Sequence, residues 1–191
     1  MTTVVERGVF LYEGHNKTAL LSQQMIADTL VSLLRENDYA SVSISRICKA
    51  AGVSRQTFYS VFGSKENVML YELGRHCRYA PEPPQPCSRK ESLTRFSRSY
   101  AAYIVENREL IELLVRNQMI ECLYRMQRDC FMGCDGFMGD VTGAERQFLV
   151  DFMADSLSVI ARNYIETGCR VSEEALGTLI CRLLGGYYFN R

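Results

Sequence analysis

The sequence predicts an all-α fold, with a small N-terminal helical module joined to a larger helical domain. Three observations predict it. Apolar residues recur at helical spacing, sustained two-residue alternation is missing, and the strong helix breakers fall in two clusters. All four prolines lie at Pro81, Pro83, Pro84 and Pro86, while Gly133, Gly136, Gly139 and Gly143 crowd one short stretch. Proline removes a donor and pushes the preceding residue out of helical conformation, so the first cluster is a joint; the second interrupts any helix entering it. The expected organisation is an extension at 1–16 with no assigned role, a module at 17–79, a Pro-rich joint at 80–90 and a second domain at 91–191.

In the module, Ile26, Leu30, Leu33 and Leu34 share one helix face, with Gln24, Asp28, Arg35 and Glu36 elsewhere on the wheel. Ser22 is the expected cap of that helix. Ser43 is placed to cap a short second helix with inner face Ile44, Ile47 and Cys48. Ala50 and Ala51 are small enough for a close crossing, Gly52 supplies the tight turn, and Val53 returns to the core. Ser54 then caps a third helix that buries Phe58 and turns Arg55, Gln56, Thr57 and Ser60 outward. Two short helices around a glycine turn, the second rich in side chains suited to base edges, describe a helix-turn-helix. The module is therefore expected to bind DNA.

In the second domain, Leu93–Glu106, Arg108–Met119 and Ile120–Met132 read as helices. Ala144–Thr167 carries two apolar stripes, one through Leu149, Met153, Leu157, Ile160 and Tyr164, the other through Phe148, Phe152 and Val159. Gly168 can close it in left-handed conformation. Ser172 opens a last helix whose first turn, Glu173 and Glu174, complements the dipole. A helix apolar on two sides needs two surfaces to pack against. Phe152 and Val159, with Leu176, Ile180, Leu183 and Tyr187 of the last helix, are expected to form a homodimer interface, because paired reading modules suit twofold sites. Burial inside a monomer is the alternative.

Charge and composition narrow the function. The net charge is zero, yet Tyr39 to Lys65 holds Arg46, Lys49, Arg55 and Lys65 without one Asp or Glu. From Pro81 onward, 13 Lys and Arg face 15 Asp and Glu, so the basic patch is local, as one face meeting phosphate would be. No apolar run reaches the ~20 residues of a membrane helix, and Met1–Asn16 lacks a secretory pattern; the expected location is the cytoplasm, with no membrane partner. The eight cysteines form no Cys-x-x-Cys pair and the two histidines lie apart, so neither metal nor other cofactor is expected. The thiols read as small hydrophobes, with Cys130 and Cys134 the nearest to a redox pair. No catalytic constellation is present, and the chain does not read as an enzyme.

Ile47, Ala51-Gly52-Val53-Ser54, Thr57-Phe58-Tyr59, Phe62 and Ser64-Lys65-Glu66 together resemble the DNA-binding domain of the TetR family of bacterial regulators, over Asn16 to Tyr71. Ser54-Arg55-Gln56-Thr57-Phe58-Tyr59 is similar to a branch common in Gram-positive bacteria. The resemblance implies that Arg55, Gln56 and Thr57 meet bases, where Arg pairs with guanine and Gln with adenine. It implies phosphate contacts from Tyr59, Lys65, Ser43 and Ser45, the serines lying at a helix N-terminus. Ser60 and Val61, where a histidine or aromatic residue often precedes Phe62, and Leu21, where a basic residue is common, depart from the pattern. The C-terminal part implies a dimerisation and effector domain. A small molecule entering it would be lined by Tyr100, Tyr103, Met119, Tyr124 and Phe131, residues that otherwise read as plain core. The expected function is a ligand-responsive repressor binding a pseudo-palindromic operator as a homodimer. The alternative is a co-regulator on the same fold that acts through protein–protein contacts alone.

Overall fold

Apolar spacing places the helices of the computed structural model, which describes residues 17–77, 88–134 and 141–186. In order these are α1 (Lys17–Glu36), a 3-10 turn (Tyr39–Ser41), α2 (Ile44–Ala51), α3 (Arg55–Val61), α4 (Lys65–His76), α5 (Arg89–Glu106), α6 (Arg108–Arg116), α7 (Ile120–Met132), α8 (Gly143–Glu166) and α9 (Glu173–Leu184). The described residues hold no strand. The extension at 1–16, the proline run, residues 135–140 of the glycine-rich stretch and Tyr187 lie outside the described residues.

α1 is the spine of the N-terminal module and touches α2, α3 and α4. Its Ile26, Ala27, Leu30 and Leu34 are buried with Ile47 and Ala51 of α2, Phe58 and Val61 of α3, and Val68, Met69 and Leu73 of α4. Each large apolar side chain buried this way contributes about 1.5–3 kcal/mol. Ser22 does not cap α1, contrary to expectation. The helix starts at Lys17, and Ser22 is buried within it, its hydroxyl donating to the Thr18 carbonyl at 2.9 Å. That back-bond satisfies a mid-helix serine without ending the helix. It leaves Leu20, Leu21 and Met25 exposed.

The second domain pairs α5 with α9 and α7 with α8. A reciprocal capping box between Ser88 and Glu91 opens α5. At Gly177 of α9 a Cβ would lie 3.5 Å from the Arg98 Cα, an ordinary van der Waals contact, so α9 packs closely on α5 there. Leu176 and Ile180, expected at a dimer interface, lie beside it at 2% and 0% exposure, on a helix that packs against α5 of its own chain. The helix expected over Arg108–Met119 ends at Arg116. Asn117 turns its side-chain oxygen to accept the Tyr39 N–H at 2.7 Å, and Gln118 takes a φ of 56°.

The halves are fastened through side chains. Arg116 donates to the Leu34 carbonyl at the end of α1, Arg125 of α7 pairs with Glu66 in the first turn of α4, and Arg35 pairs with Glu109 at 3.3 Å. Beside these contacts a cleft of about 810 Å³ opens between α1, α4 and the α5–α6 corner, bordered by Val31, Glu72, His76 and Leu113.

Candidate nucleic-acid interface

The site is built from the α2–turn–α3 unit. The Ser43 hydroxyl accepts the Arg46 N–H at 3.2 Å, closing the start of α2. Gly52 ends it at φ 67° and ψ 26°, a left-handed conformation that costs any residue with a Cβ about 1–2 kcal/mol. The Val53 N–H donates to the Cys48 carbonyl at 3.0 Å, completing the turn. Ser54 accepts the Thr57 N–H at 2.9 Å, and its oxygen lies 2.8 Å from the Thr57 hydroxyl. α3 is only seven residues long, so this cap and the buried Phe58 hold it in place. Phe58 stands edge-on to Tyr59 at 5.7 Å, and Phe62 meets Tyr71 of α4 at 5.4 Å.

Arg55, Gln56, Tyr59 and Ser60 are exposed on α3, with Thr57 half-buried under its cap. The Arg55 guanidinium lies 6.0 Å from the centre of the Tyr59 ring, and among the described residues no carboxylate pairs with it. Ser43, Ser45, Arg46 and Lys49 are exposed on or beside α2. Arg46 reaches Asn37 at 3.0 Å, which steadies the cation without neutralising it. The unit thus presents an uncancelled positive surface with hydroxyl, amide and guanidinium donors.

Lys65 is placed differently from an outward phosphate clamp. Its ammonium donates to the carbonyls of Tyr39 at 2.8 Å and Val42 at 2.7 Å and sits 4.2 Å from the centre of the Tyr39 ring. Burial pushes its pKa down. Two of its three donors therefore fasten the 3-10 turn to the start of α4. Sequence reasoning also missed Arg116, Asn117 and Arg125, which brace the reading head from the second domain. Their partners lie 59 to 82 residues away, and no local pattern marks such pairings.

The expected effector residues are only partly brought together. Tyr100 stacks with Tyr103 at 6.0 Å and with Phe96 at 6.4 Å, and Phe96 meets Phe131 at 6.1 Å. The Tyr100 hydroxyl donates to the Leu157 carbonyl and accepts from Gln127, both at 2.8 Å, while Ser158 lies 3.1 Å from the Gln127 oxygen. This polar strand runs through a closed core, and burial pushes the phenols of Tyr100 and Tyr103 far up. Tyr124 instead sends its hydroxyl to Asp151 at 3.2 Å, and Met119 is buried at the start of α7. Of the expected interface residues, Phe152 and Leu183 are exposed and Val159 is half-buried; Phe148, at 77% exposure, and Leu179 are exposed too. Among the described residues no cluster of three or more His, Cys, Asp or Glu could hold a metal, and no helix is long and apolar enough to cross a membrane.

Residues 26–71 match the family described as bacterial regulatory proteins, tetR family. The chain is 34% identical over 55 residues to an HTH-type activator of the dhaKLM operon, DhaS, from Lactococcus lactis, and covers 29% of each chain. Curated relatives of this kind are matched over less than a third of their own length. Lin0861 from Listeria innocua shares the fold at a TM-score of 0.73 and 15% identity, over 95% of this chain and 99% of that one. A TetR-family regulator from Streptomyces coelicolor does so at 0.68 and 16% identity, over 91% and 97%. Residues 26–71 thus match the family's domain, and the fold of these solved structures is matched along most of the chain.

Proposed function

We propose that the chain is a DNA-binding transcription regulator that works as a homodimer, places α3 of each protomer in the major groove and represses by occupying a promoter. The exposure of Arg55, Gln56, Tyr59 and Ser60 together on one capped, acid-free helix carries the reading. Arg55 and Gln56 carry the groups that form bidentate contacts to guanine and adenine edges. Tyr59, Ser43 and Ser45 supply hydroxyls for phosphate oxygens, and Lys65 has one N–H left to offer. Two such helices would meet half-sites about 34–36 Å apart on a pseudo-palindrome.

Effector response is the second part of the proposal. A ligand acts by binding one global state better than another. Entry at the Tyr100–Phe131 core has to open the bonds from Tyr100 to Leu157 and Gln127, which would shift α5 and α7 against α8. α7 holds the start of α4 through Arg125 and Glu66, and that contact would carry the shift to the reading head.

Selection of bound duplexes from a random pool tests the reading. A twofold motif with one helical turn between half-sites, and binding that weakens steeply with salt, is the expected result. Recovery of no motif at any salt concentration would favour the co-regulator. A reporter driven from the recovered site decides the sign: rising output on adding the protein would overturn repression.

A further inference from the structure

Cys77 closes the C-terminus of α4, Cys130 lies in the last turn of α7, and their sulfurs are 3.9 Å apart. The two are separated by 53 residues, and the contact appears only on folding. A disulfide is about 2.05 Å long, so closing it takes an approach of about 1.9 Å, small enough for side-chain rotation with a slight shift of either helix end. Both residues are half-buried, at the border between the reading head and the second domain. We propose that Cys77 and Cys130 form a reversible disulfide site that a hydroperoxide closes, fastening the end of α4 to α7.

The surroundings set the order of events. Contact with Cys77, then burial, pushes the Cys130 thiol far up, so Cys130 keeps its proton and acts second. Cys77, as thiolate, attacks the hydroperoxide: an S–O bond forms, the O–O bond breaks, and the departing oxygen leaves as an alcohol after taking a proton. The Cys130 sulfur then attacks the sulfenyl sulfur of Cys77. The S–S bond forms, the S–O bond breaks, and the oxygen leaves as water with the thiol proton. Two thiols and one hydroperoxide thus give one disulfide, one alcohol and one water; the sulfurs lose two electrons and the peroxide gains them. Tyr103, whose phenol is held neutral chiefly by burial and further by both sulfurs, is a protonated neighbour and not a base.

The consequence for regulation rests on the DNA-binding reading. α4 begins at the Lys65 grip on the 3-10 turn and ends at Cys77, so a covalent tie at its far end limits how the reading head can move against α7. Fully reduced full-length protein is to be treated with cumene hydroperoxide, quenched with an alkylating agent and mapped by mass spectrometry. Its affinity for a selected duplex is followed in parallel. The expected result is loss of two thiols and a Cys77–Cys130 linked peptide pair, reversed by dithiothreitol, retained in Cys134→Ser and abolished in Cys77→Ser. Duplex affinity should change about 5–150-fold, the usual range of coupling between sites, in wild type and not in Cys77→Ser. A dominant Cys130–Cys134 link, or Cys77 oxidised to sulfinate without a link, overturns the site. A link with unchanged duplex affinity overturns the regulatory consequence. Failure of the reduced protein to bind any duplex overturns the DNA-binding reading instead, and the peptide map still decides the site.

Discussion

Arg55 and Lys65 carry the same charge in opposite surroundings, and their replacement separates reading from holding. Arg55 is exposed, its guanidinium 6.0 Å from the centre of the Tyr59 ring, so Arg55→Ala should leave stability within about 0.5 kcal/mol. It should cost about 1–3 kcal/mol of duplex binding and relax specificity at one base pair. Lys65→Ala removes the ammonium from the Val42 carbonyl and from the Tyr39 carbonyl, which keeps only the Val42 N–H at 3.3 Å, a loss of about 1–3 kcal/mol visible in urea denaturation before any DNA is added. An unchanged midpoint with uniformly weaker duplex binding would return Lys65 to phosphate contact. Tyr39 adds a pH signature. Burial first, then the Cys122 thiol and Glu66, raise its phenol from near 10 to about 12. The unfolded chain gives up this proton near pH 10 and the folded chain holds it to about 12, so its contribution is intact below pH 10 and lost as pH rises through 12. Tyr39→Phe should therefore lose less stability than wild type between pH 9 and 11 in denaturant titrations. The outward side chains of α3 were legible because a cap four residues before Phe58 fixes which way each one turns. The direction of Lys65 was not, since its acceptors lie 23 and 26 residues back.

At the scale of elements, α3 is shorter than the ~12–15 residues an isolated helix needs, so its cap and its buried face decide whether it forms. Ser54→Ala removes the acceptor for the Thr57 N–H and should cost about 0.5–2 kcal/mol, with faster amide exchange across Arg55–Tyr59. Ser54→Asp keeps the cap but puts a negative charge at the head of the reading helix. It should hold the stability that alanine loses while weakening duplex binding, and equal loss of both properties in the two variants would show that the cap has no separate place in recognition. The α2–turn–α3 unit could be read in advance because each signal in it is local: Ser43 to Arg46, Gly52 at positive φ, Ser54 to Thr57. Where a boundary depends on a distant partner, pattern failed. α6 stops at Arg116 because Asn117 is drawn to Tyr39, 78 residues away. The start of α1 was missed for a local reason, since Ser22 donates back to the Thr18 carbonyl four residues earlier and does not mark the helix end.

For the whole molecule, the expected division at the proline run falls outside the described residues, and no local pattern foretold how α6 and α7 brace the N-terminal helices through Arg116, Asn117 and Arg125. The two-sided pattern of the long helix was also visible, and the structure divides it. Val150, Ala154, Leu157 and Ala161 of α8 are buried in the chain, whereas Phe148 at 77% and Phe152 at 62% exposure face outward with Leu179 and Leu183 of α9. Covering each phenyl ring on a partner would contribute about 1.5–3 kcal/mol, and a twofold contact counts every one of them twice. The expected occupant is a second copy of this chain, since an operator with two half-sites needs two reading heads at one spacing. Phe152→Glu then sets an unpaired carboxylate at that contact and touches little of the protomer's own core. Sedimentation should show a dimer for wild type and a monomer for the variant, with thermal unfolding of the protomer retained and binding reduced to the weak affinity of a single half-site. A variant that stays dimeric would place the contact elsewhere. A variant that becomes monomeric yet binds the full site with unchanged affinity would separate pairing from recognition, and each head would have to read its half-site alone.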